Sequence, residues 1–290
     1  MQPANHEIIR INPELNMRYS VLTVTNVYTA MHWHDSIEIL YVTEGELSVT
    51  VNNKNYRLHR DDFIVIDRKT IHSTSNKRKT RYLLIQIPYS FLKQFIPNVD
   101  FIRFSGICSL LEKDNRDILN SMRNTLSQLS YLYEHQYDGY HMRYFSLLFS
   151  FLDCLFTHYR EELSSSEIKK TEKYIERLSL ITEYVENHYQ EPITLREAAQ
   201  ILSINPEYFS RFFKKYMGIT FLEYVYSIRL QSAYQEIINT DLPIQEIQER
   251  NGFTSPKIFS RMFREQYGKT PREIRKSASA SSSRLLTGEL

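Results

Sequence analysis

The segment FSRFFKKYMGIT, residues 209–220, recurs further along the chain as FSRMFREQYGKT, residues 259–270. Phenylalanine, serine, arginine, a basic residue, glycine and threonine keep their positions in both copies. Self-similarity at a fixed interval indicates two copies of one supersecondary unit. The repeat therefore predicts a duplicated structure in the C-terminal part of the chain.

Each copy has the outline of a helix, a tight turn and a second helix. Apolar residues recur at helical spacing ahead of each repeated segment, and a short polar turn separates the two. This outline is typical of a helix-turn-helix. The predicted first helices cover residues 195–202 and 244–250, and a single helix over residues 221–239 joins the two units.

The repeated helices also begin with local start signals. Asn205 and Ser255 are residue types that cap helix N-termini well. Pro206 and Pro256 follow them, in the first helical turn, where a missing N–H costs nothing. Both helix starts are therefore predicted from neighbouring residues alone.

The polar faces of the repeated helices carry groups that can bind DNA. Their phenylalanines can pack inward, which leaves serine, arginine and lysine facing outward. Arginine can bond a guanine edge with two hydrogen bonds, and a cation one turn further on can contact phosphate. A joining helix of about 28 Å could place both repeated helices in successive major grooves. The predicted DNA-binding residues are Asn205, Glu207, Ser210, Arg211, Lys214, Lys215, Ser255, Lys257, Ser260, Arg261 and Arg264.

Composition limits the class of protein. A chain of 290 residues with 42% hydrophobic content can fill two cores. The formal net charge of +2 means that a nucleic-acid surface must be a local patch. Two cysteines are too few for a disulfide scaffold, and the N-terminus lacks the apolar run of a secretory signal. These features predict a cytoplasmic protein without a membrane segment.

The spacing of apolar residues changes once in the N-terminal half. From residue 19 to residue 87, short runs with period two predict many strands and a barrel or sandwich. Helical spacing follows, broken by a turn at Asp138-Gly139 and by the serine run after Leu163. The predicted domains are a barrel over 1–109, a helix pair over 110–163, a linker over 164–170, a DNA-binding domain over 171–276 and a disordered tail over 277–290.

A group of histidines and a glutamate marks the predicted barrel. His32 and His34 share one face of a strand, Glu38 follows, and His72 lies further along. Two imidazoles, a carboxylate and a third imidazole are suitable ligands for a divalent transition metal. The same residues could instead border a metal-free effector cavity or form hydrogen bonds in the barrel wall. Trp33 should point away from them and pack outside.

Residues 171–276 resemble the bipartite helix-turn-helix domain of the AraC/XylS family of bacterial transcription regulators. The second half of that domain reads I-x-x-I-A-x-x-x-G-F, then a Y-F-S-R-x-F-K-like helix and G-x-T-P-x-x-x-R. Gln248 stands in place of the small Ala, and Ser203 replaces the usual Gly of the first turn. The resemblance rests on Ile244, Ile247, Gly252, Phe253, Phe259, Ser260, Arg261, Phe263, Arg264, Gly268, Thr270, Pro271 and Arg275. The base-reading positions that it implies are Glu207, Ser210, Arg211, Pro256, Lys257, Ser260 and Arg261.

The segment from residue 19 to residue 87 resembles the cupin sensor domain found ahead of such DNA-binding domains. The resemblance rests on the pattern H-x-H-x3-E-x6-G, which begins at His32 and ends at Gly45, and on His72. It implies that His32, His34, Glu38 and His72 border an effector cavity and that the helix pair forms a dimer interface. Departures from the cupin motifs stand at Asn26, Asp61, Asp67 and Lys69, where Gly, Gly, Pro and Gly are usual.

The sequence as a whole predicts an α+β multidomain protein: a cupin-like β-barrel with an antiparallel helix pair, followed by an all-α bipartite helix-turn-helix domain. The predicted function is transcription regulation by a homodimer that binds promoter DNA, a small-molecule effector such as a sugar, and RNA polymerase. No catalytic residue, cofactor or metal is assigned. Two alternatives stay open: a metal-dependent cupin enzyme with a helical accessory domain, and a DNA-binding regulator that needs no ligand.

Overall fold

The computed structural model describes residues 12, 14–96, 98–104 and 116–277. The N-terminal part contains eight strands in two antiparallel sheets, with the orders β1-β8-β3-β6 and β2-β7-β4-β5. The predicted β-barrel is thus confirmed. The strands are β1 (Arg18–Val24), β2 (Tyr28–His32), β3 (Ser36–Glu44), β4 (Glu46–Val51), β5 (Lys54–His59), β6 (Phe63–Ile66), β7 (His72–Ser75) and β8 (Thr80–Pro88).

Helices cover the outer face of the first sheet. Gly139, at φ +84°, provides the predicted turn between two long helices, a conformation that glycine adopts at little cost. The second of these helices ends earlier than predicted, because the next residues pair with a preceding strand. The elements are α1 (Tyr89–Leu92), a 3-10 helix (Val99–Phe101), β9 (Ile102–Phe104), α2 (Arg116–Glu134), α3 (Tyr140–Tyr159) and β10 (Arg160–Glu162).

Strand β3 is buried on both faces because it lies between two cores. Leu40 points between the sheets and packs in one cluster with Leu47 of the facing sheet. Ile39 points the other way and belongs to the cluster that contains Leu126 of α2. Side chains alternate along a strand, so Glu38 has the same direction as Leu40. The alternation therefore carries a carboxylate into the barrel.

The prediction of a linker over residues 164–170 is wrong. Helix α4 spans Ser165–His188, and Ser164 is its N-cap. The Ser164 hydroxyl accepts a hydrogen bond from the Glu167 backbone N–H, and the Glu167 carboxylate accepts one from the Ser164 backbone N–H. This reciprocal capping box stabilises a helix start. The serine run therefore begins a helix, well ahead of the predicted start near Thr171.

The C-terminal part is all-helical, as predicted, and contains both helix-turn-helix units. The predicted caps hold: Asn205 and Ser255 accept hydrogen bonds from the first turns of their helices. Residues 271–277 are helical as well. The elements are α5 (Leu195–Ile201), α6 (Pro206–Met217), α7 (Phe221–Asn239), α8 (Ile244–Arg250) and α9 (Pro256–Tyr267).

The second unit accommodates Gln248 in place of the small residue that the resemblance expects. Gln248 is buried, and its Nε2 donates a hydrogen bond of 3.1 Å to the Phe253 carbonyl oxygen in the turn. A buried amide with a backbone partner is not costly. Helices α8 and α9 can therefore pack together around the longer side chain.

We expect Gln248→Ala to lower the free energy of unfolding by about 1–3 kcal/mol, because it removes the donor to a buried carbonyl and leaves a cavity. Urea unfolding of the full chain measures the change. Gln245→Ala, an exposed position of the same helix, is the matched control. Equal unfolding midpoints for the two variants would contradict the assigned role.

Four turns keep a left-handed backbone although they lack glycine. Asn26, Asp61, Lys69 and Ser203 have φ values of 55°, 68°, 54° and 53°. All four occupy positions where the family resemblances expect glycine. Left-handed conformations cost more with a side chain than with glycine. The chain thus retains the expected left-handed turns, with residues for which this backbone conformation costs more than it does for glycine.

Three sequence-based predictions concern residues outside those described: Cys108, the first residues of the helix pair (110–115) and the tail from 278 to 290. Within the described part of the chain, no helix has both the length and the apolar character needed to cross a membrane.

Candidate DNA-binding surface and barrel site

Helices α6 and α9 are oriented by buried aromatic residues. Phe209 and Phe213 of α6, and Phe259 and Phe263 of α9, are at most 1% exposed. Residues four apart lie on one stripe of a helix. This stripe faces the core in both units, so the opposite face of each helix points outward.

The outward faces hold the residues that were predicted to bind DNA. Ser210 and Ser255 are half-buried, and the other predicted residues are exposed. Asn205 Oδ1 accepts from the Glu207 backbone N–H at 2.7 Å, and Ser255 Oγ from the Ile258 N–H at 3.4 Å. These two side chains are engaged as helix caps. The exposed residues are Asn205, Glu207, Arg211, Lys214, Lys215, Lys257, Ser260, Arg261 and Arg264.

Helix α7 connects the two units and is itself anchored. Phe221 at its start packs in the core of the first unit, and Ile237 near its end packs in that of the second. Arg229 between them is buried and donates hydrogen bonds to the carbonyl oxygens of Tyr189 at 2.6 Å and Glu191 at 2.7 Å. Sequence reasoning missed Arg229; its position in the run Ile228-Arg229-Leu230 was the available signal.

The barrel brings together the four residues that the sequence grouped. His32, His34, Glu38 and His72 are all buried, and one ligand atom from each lies within 4.8 Å of the others. His34 Nε2 lies 3.1 Å from Glu38 Oε2, and His72 Nε2 lies 3.6 Å from Glu38 Oε1. Three strands, β2, β3 and β7, meet at this cluster.

Backbone carbonyl groups orient the three imidazole rings. A carbonyl oxygen only accepts hydrogen bonds, so each bonded Nδ1 carries the hydrogen and, in a neutral ring, each Nε2 carries a lone pair. Such partners commonly orient histidines that bind metals. The Nδ1 contacts are His32 to Ala30 O at 2.9 Å, His34 to Ser36 O at 3.1 Å and His72 to Thr70 O at 2.8 Å.

The donor set fits a divalent transition metal. Burial and the neighbouring His72 lower the pKa of His32 to about 3, so this ring is neutral at physiological pH. Burial alone raises the pKa of Glu38, but His72 and His34 hold it well below its ordinary value. A neutral imidazole and an ionised carboxylate are the forms in which these groups bind metals, and metal binding displaces a proton held between His34 and Glu38. The metal site that the sequence left as an alternative is thus compatible with the geometry.

A small cavity of about 210 Å³ adjoins the cluster inside the barrel. One wall is polar: Gln86 Nε2 donates to Glu38 Oε2 at 2.7 Å, and Arg18 Nη1 donates to Gln86 Oε1 at 3.3 Å. The other wall is apolar and includes Leu22 and Leu84. Sequence analysis missed Arg18 and Gln86, although the alternation in β8 was a signal for an inward Gln86.

The barrel and the DNA-binding half share a core. Trp33 is 1% exposed and packs with Ile71, Leu178 of α4 and Tyr224 of α7 in one cluster. The prediction that Trp33 packs away from the histidines agrees with this position, but the contact with the C-terminal half was not predicted. Strand β2 therefore has the histidine cluster at one end and the helices of the other half against its side.

Two further contacts tie the halves together. Burial raises the pKa of the Tyr28 hydroxyl to about 12, and this side chain hydrogen-bonds Ser227 of α7. At the end of α6, a Cβ on Gly218 would overlap Asn53 of the turn between β4 and β5. A contact with the barrel is thus present at one of the two candidate reading helices.

Comparison with known proteins finds a family match within each half of the chain. Residues 198–277 match the helix-turn-helix domain family, and residues 23–86 match the cupin domain family. The HTH-type transcriptional activator RhaS of Enterobacter sp. (strain 638) is 26% identical over 293 residues, covering 96% of both chains. An uncharacterized HTH-type transcriptional regulator, YdeC of Bacillus subtilis (strain 168), is 22% identical over 265 residues, covering 87% of both chains.

Solved structures also resemble the chain. ToxT from Vibrio cholerae is 15% identical, with a TM-score of 0.47 over 89% of this chain and 97% of its own. A transcriptional regulator from Chromobacterium violaceum, described as having an AraC-type DNA-binding domain, is 28% identical, with a TM-score of 0.34 over 36% of this chain and 92% of its own.

Proposed function

Because this chain is a DNA-binding transcription regulator of the AraC family with an N-terminal cupin domain, we propose that α6 and α9 read a promoter and that a small molecule in the barrel controls them. The proposal rests on one observation: α6 and α9 are a duplicated pair of capped helices on either side of α7, and each has exposed cations. The relatives are named as regulators, which favours regulation over the cupin-enzyme alternative.

In this proposal each reading helix has two kinds of contact. Arg211 and Arg261 bond base edges in successive major grooves. Lys214 and Arg264, one turn further along, meet phosphate and set the orientation without reading sequence. Helix α7 spans about 28 Å, which is long enough to hold the two reading helices roughly one DNA turn apart. The reading helices then act on the same face of the duplex, where the regulator contacts RNA polymerase.

The proposed effector is a small polar molecule, in the first instance a monosaccharide. The cavity of about 210 Å³ is small for a ligand pocket, since such pockets usually measure roughly 300–1,000 Å³. Arg18, Gln86 and Glu38 offer donors and acceptors along one wall, which suits a hydroxylated ligand. The apolar wall suits the other face of a sugar ring.

A second candidate, a metal-dependent sensor, is favoured by the geometry of the cluster. His32, His34, Glu38 and His72 would hold a divalent transition metal. When bound, such an ion supplies a Lewis-acid site for an effector oxygen. The chain itself orients the ligands. The backbone carbonyl contacts hold the three imidazole rings in place, and Gln86 orients the Glu38 carboxylate.

Strand β2 is the proposed route from the cavity to the DNA-binding half. It carries His32 at its inner end, while Ala30 and Met31 pack in the shared core with α7. An occupant of the cavity that favours one position of β2 would change the contacts of the barrel with α7, the helix that sets the spacing of the reading helices. The effector must bind the two states with different affinity for this switch to work.

Glu38→Gln should remove effector control and leave basal DNA affinity largely unchanged, because Glu38 lies inside the barrel. If the cluster holds a metal, the variant should also retain less divalent metal than the wild type by elemental analysis, because a neutral amide is a weaker ligand than a carboxylate. Glu44→Gln, at the exposed end of the same strand, is the control. A variant with wild-type effector response would place the effector site elsewhere.

The proposed dimer forms through the helix pair. Phe95 is 53% exposed and Phe149 of α3 is 37% exposed, and both rings contact Phe91. Exposed aromatic patches of this kind commonly mark protein interfaces.

We expect Phe149→Glu to convert a dimer into a monomer, since a charge would be buried at the interface. Sedimentation velocity of the full chain measures the change. Leu180→Glu, an exposed apolar position on α4, is the control. A dimer that persists in Phe149→Glu but not in Leu180→Glu would assign the interface to α4.

A further inference from the structure

A basic cleft lies between α4 and α6, beside the first reading helix. Helix α4 contributes Lys170, Lys173 and Arg177, which repeat at helical spacing on one side. Helix α6 contributes Arg211 and Lys215, one turn apart, to the opposite side. The cleft measures about 430 Å³ and is open to solvent. Two helices therefore present facing stripes of cations.

Aromatic rings form the floor of the cleft and hold the helices together. Tyr174 of α4 stacks on Tyr216 of α6, with ring centroids 4.3 Å apart and an interplanar angle of 19°. Phe212 packs against Tyr216 at 5.2 Å. The rings are positioned by the core, so the spacing of the surrounding cations is set by packing rather than by the cations themselves.

Within the described part of the chain, carboxylates lie in the adjoining pocket, where Glu167 and Glu172 line the wall together with Lys170 and Lys215, but not in the cleft itself. No carboxylate lines the cleft, and none of its five cations forms an ion pair among the described residues. Neighbouring cations behave differently, since Arg68 pairs with Asp100 and Arg103 pairs with Glu161. Like charges held together repel one another unless a polyanion neutralises them.

We propose that the stripe on α4 binds the DNA phosphate backbone next to the base pairs that α6 reads. Arg211 belongs to both surfaces, because it lines the cleft and lies on the exposed face of α6. The backbone of a duplex in contact with Arg211 would therefore run toward α4. This inference rests on the proposed function, and it assigns a DNA contact to a stretch that precedes the matched helix-turn-helix region at residues 198–277.

The test measures DNA affinity of the full chain by fluorescence anisotropy over a range of salt concentrations. The probes are a duplex selected by the wild-type protein from a random pool and a scrambled duplex of equal length. The variants are Lys173→Ala, Arg177→Ala and their combination. Lys169→Ala is the matched control, because Lys169 is an exposed lysine of α4 that does not line the cleft.

We expect each single cleft variant to weaken binding to both duplexes by the same factor, about fivefold, and to make the salt dependence shallower by about one counterion, and the double variant to lose about two counterions. Lys169→Ala should retain wild-type affinity and salt dependence. Arg211→Ala should differ from the cleft variants, because it should reduce the preference for the selected duplex. Far-ultraviolet circular dichroism checks that the variants are folded.

Two results would overturn the inference. One is an unchanged affinity and salt dependence in the double variant. The other is an equal loss in Lys169→Ala, which would indicate a general effect of net charge. If the wild type shows no preference for the selected duplex, the proposed function fails, and the salt dependence on the scrambled duplex still decides the role of the cleft.

Discussion

Replacing Arg211 and Arg261 together with alanine should abolish sequence-specific DNA binding and leave the fold intact. Each arginine that bonds a base edge contributes about 1–3 kcal/mol of discrimination, and the contributions of distant positions add. The combined loss is then about 2–6 kcal/mol, or roughly 30-fold to more than 10⁴-fold in specific affinity. Both side chains are exposed, and Arg261 forms an ion pair of 4.0 Å with Glu265.

The measurement compares the selected and scrambled duplexes at near-physiological salt with competitor DNA. The double variant should bind both duplexes with similar, weak affinity. Arg143→Ala with Arg160→Ala, two exposed arginines near the ends of the helix pair, is the control for lost charge. Retained preference in the Arg211 and Arg261 variant would show that other residues read the bases.

Trp33→Ala should destabilise the core between the barrel and the DNA-binding half and abolish the effect of the barrel on DNA affinity. Trp33 is the single tryptophan of the chain and is almost completely buried in the core that both halves share. Removing a large buried aromatic side chain costs about 3–5 kcal/mol. We expect a lower thermal midpoint, and a DNA affinity that no longer responds to the effector that the wild type detects.

A variant that keeps most of the packing separates the two effects. Trp33→Phe retains an aromatic ring, so it should destabilise the protein less and keep part of the effector response. Tyr137→Ala, at a residue that is 57% exposed, is the control. A full effector response in folded Trp33→Ala would mean that the signal does not pass through this interface.

The DNA-binding half could be predicted from the sequence because its signals are local. The caps Asn205 and Ser255, the prolines after them and the aromatic stripes lie within a few residues of the structure they specify. The predicted bounds 221–239 and 244–250 agree with α7 and α8 as observed. Caps and periodicity act over one or two turns of a helix, so neighbouring residues suffice.

The helix start at Ser164 shows a local signal that was available and was misinterpreted. Three consecutive serines suggested a flexible linker, yet the spacing from Ser164 to Glu167 is that of a capping box. The serine-rich composition favoured a linker, whereas the hydrogen-bonding pattern of Ser164 and Glu167 favoured a helix. The structure has the helix, because the capping hydrogen bonds stabilise its first turn. The basic cleft depends on the same correction, because Lys170 lies in the segment that was predicted as a linker.

The barrel site was only partly predictable. His32, His34 and Glu38 lie close in sequence, and strand alternation accounts for their common direction. The polar wall was missed because Arg18 and Gln86 meet through the pairing of β1 with β8, a contact between distant segments. The contact of Trp33 with α7 likewise depends on how two domains dock, and periodicity within one domain contains no information about docking.

The most direct test of promoter reading by α6 and α9 is selection of DNA by the wild-type full chain from a randomised pool, at near-physiological salt with competitor DNA. We expect a bipartite motif whose half-elements lie about one helical turn, roughly 10 base pairs, apart, because α6 and α9 flank a helix of about 28 Å that can hold them at that spacing. Enrichment of no motif, with binding equally sensitive to salt on every sequence, would show that these two helices do not read a promoter.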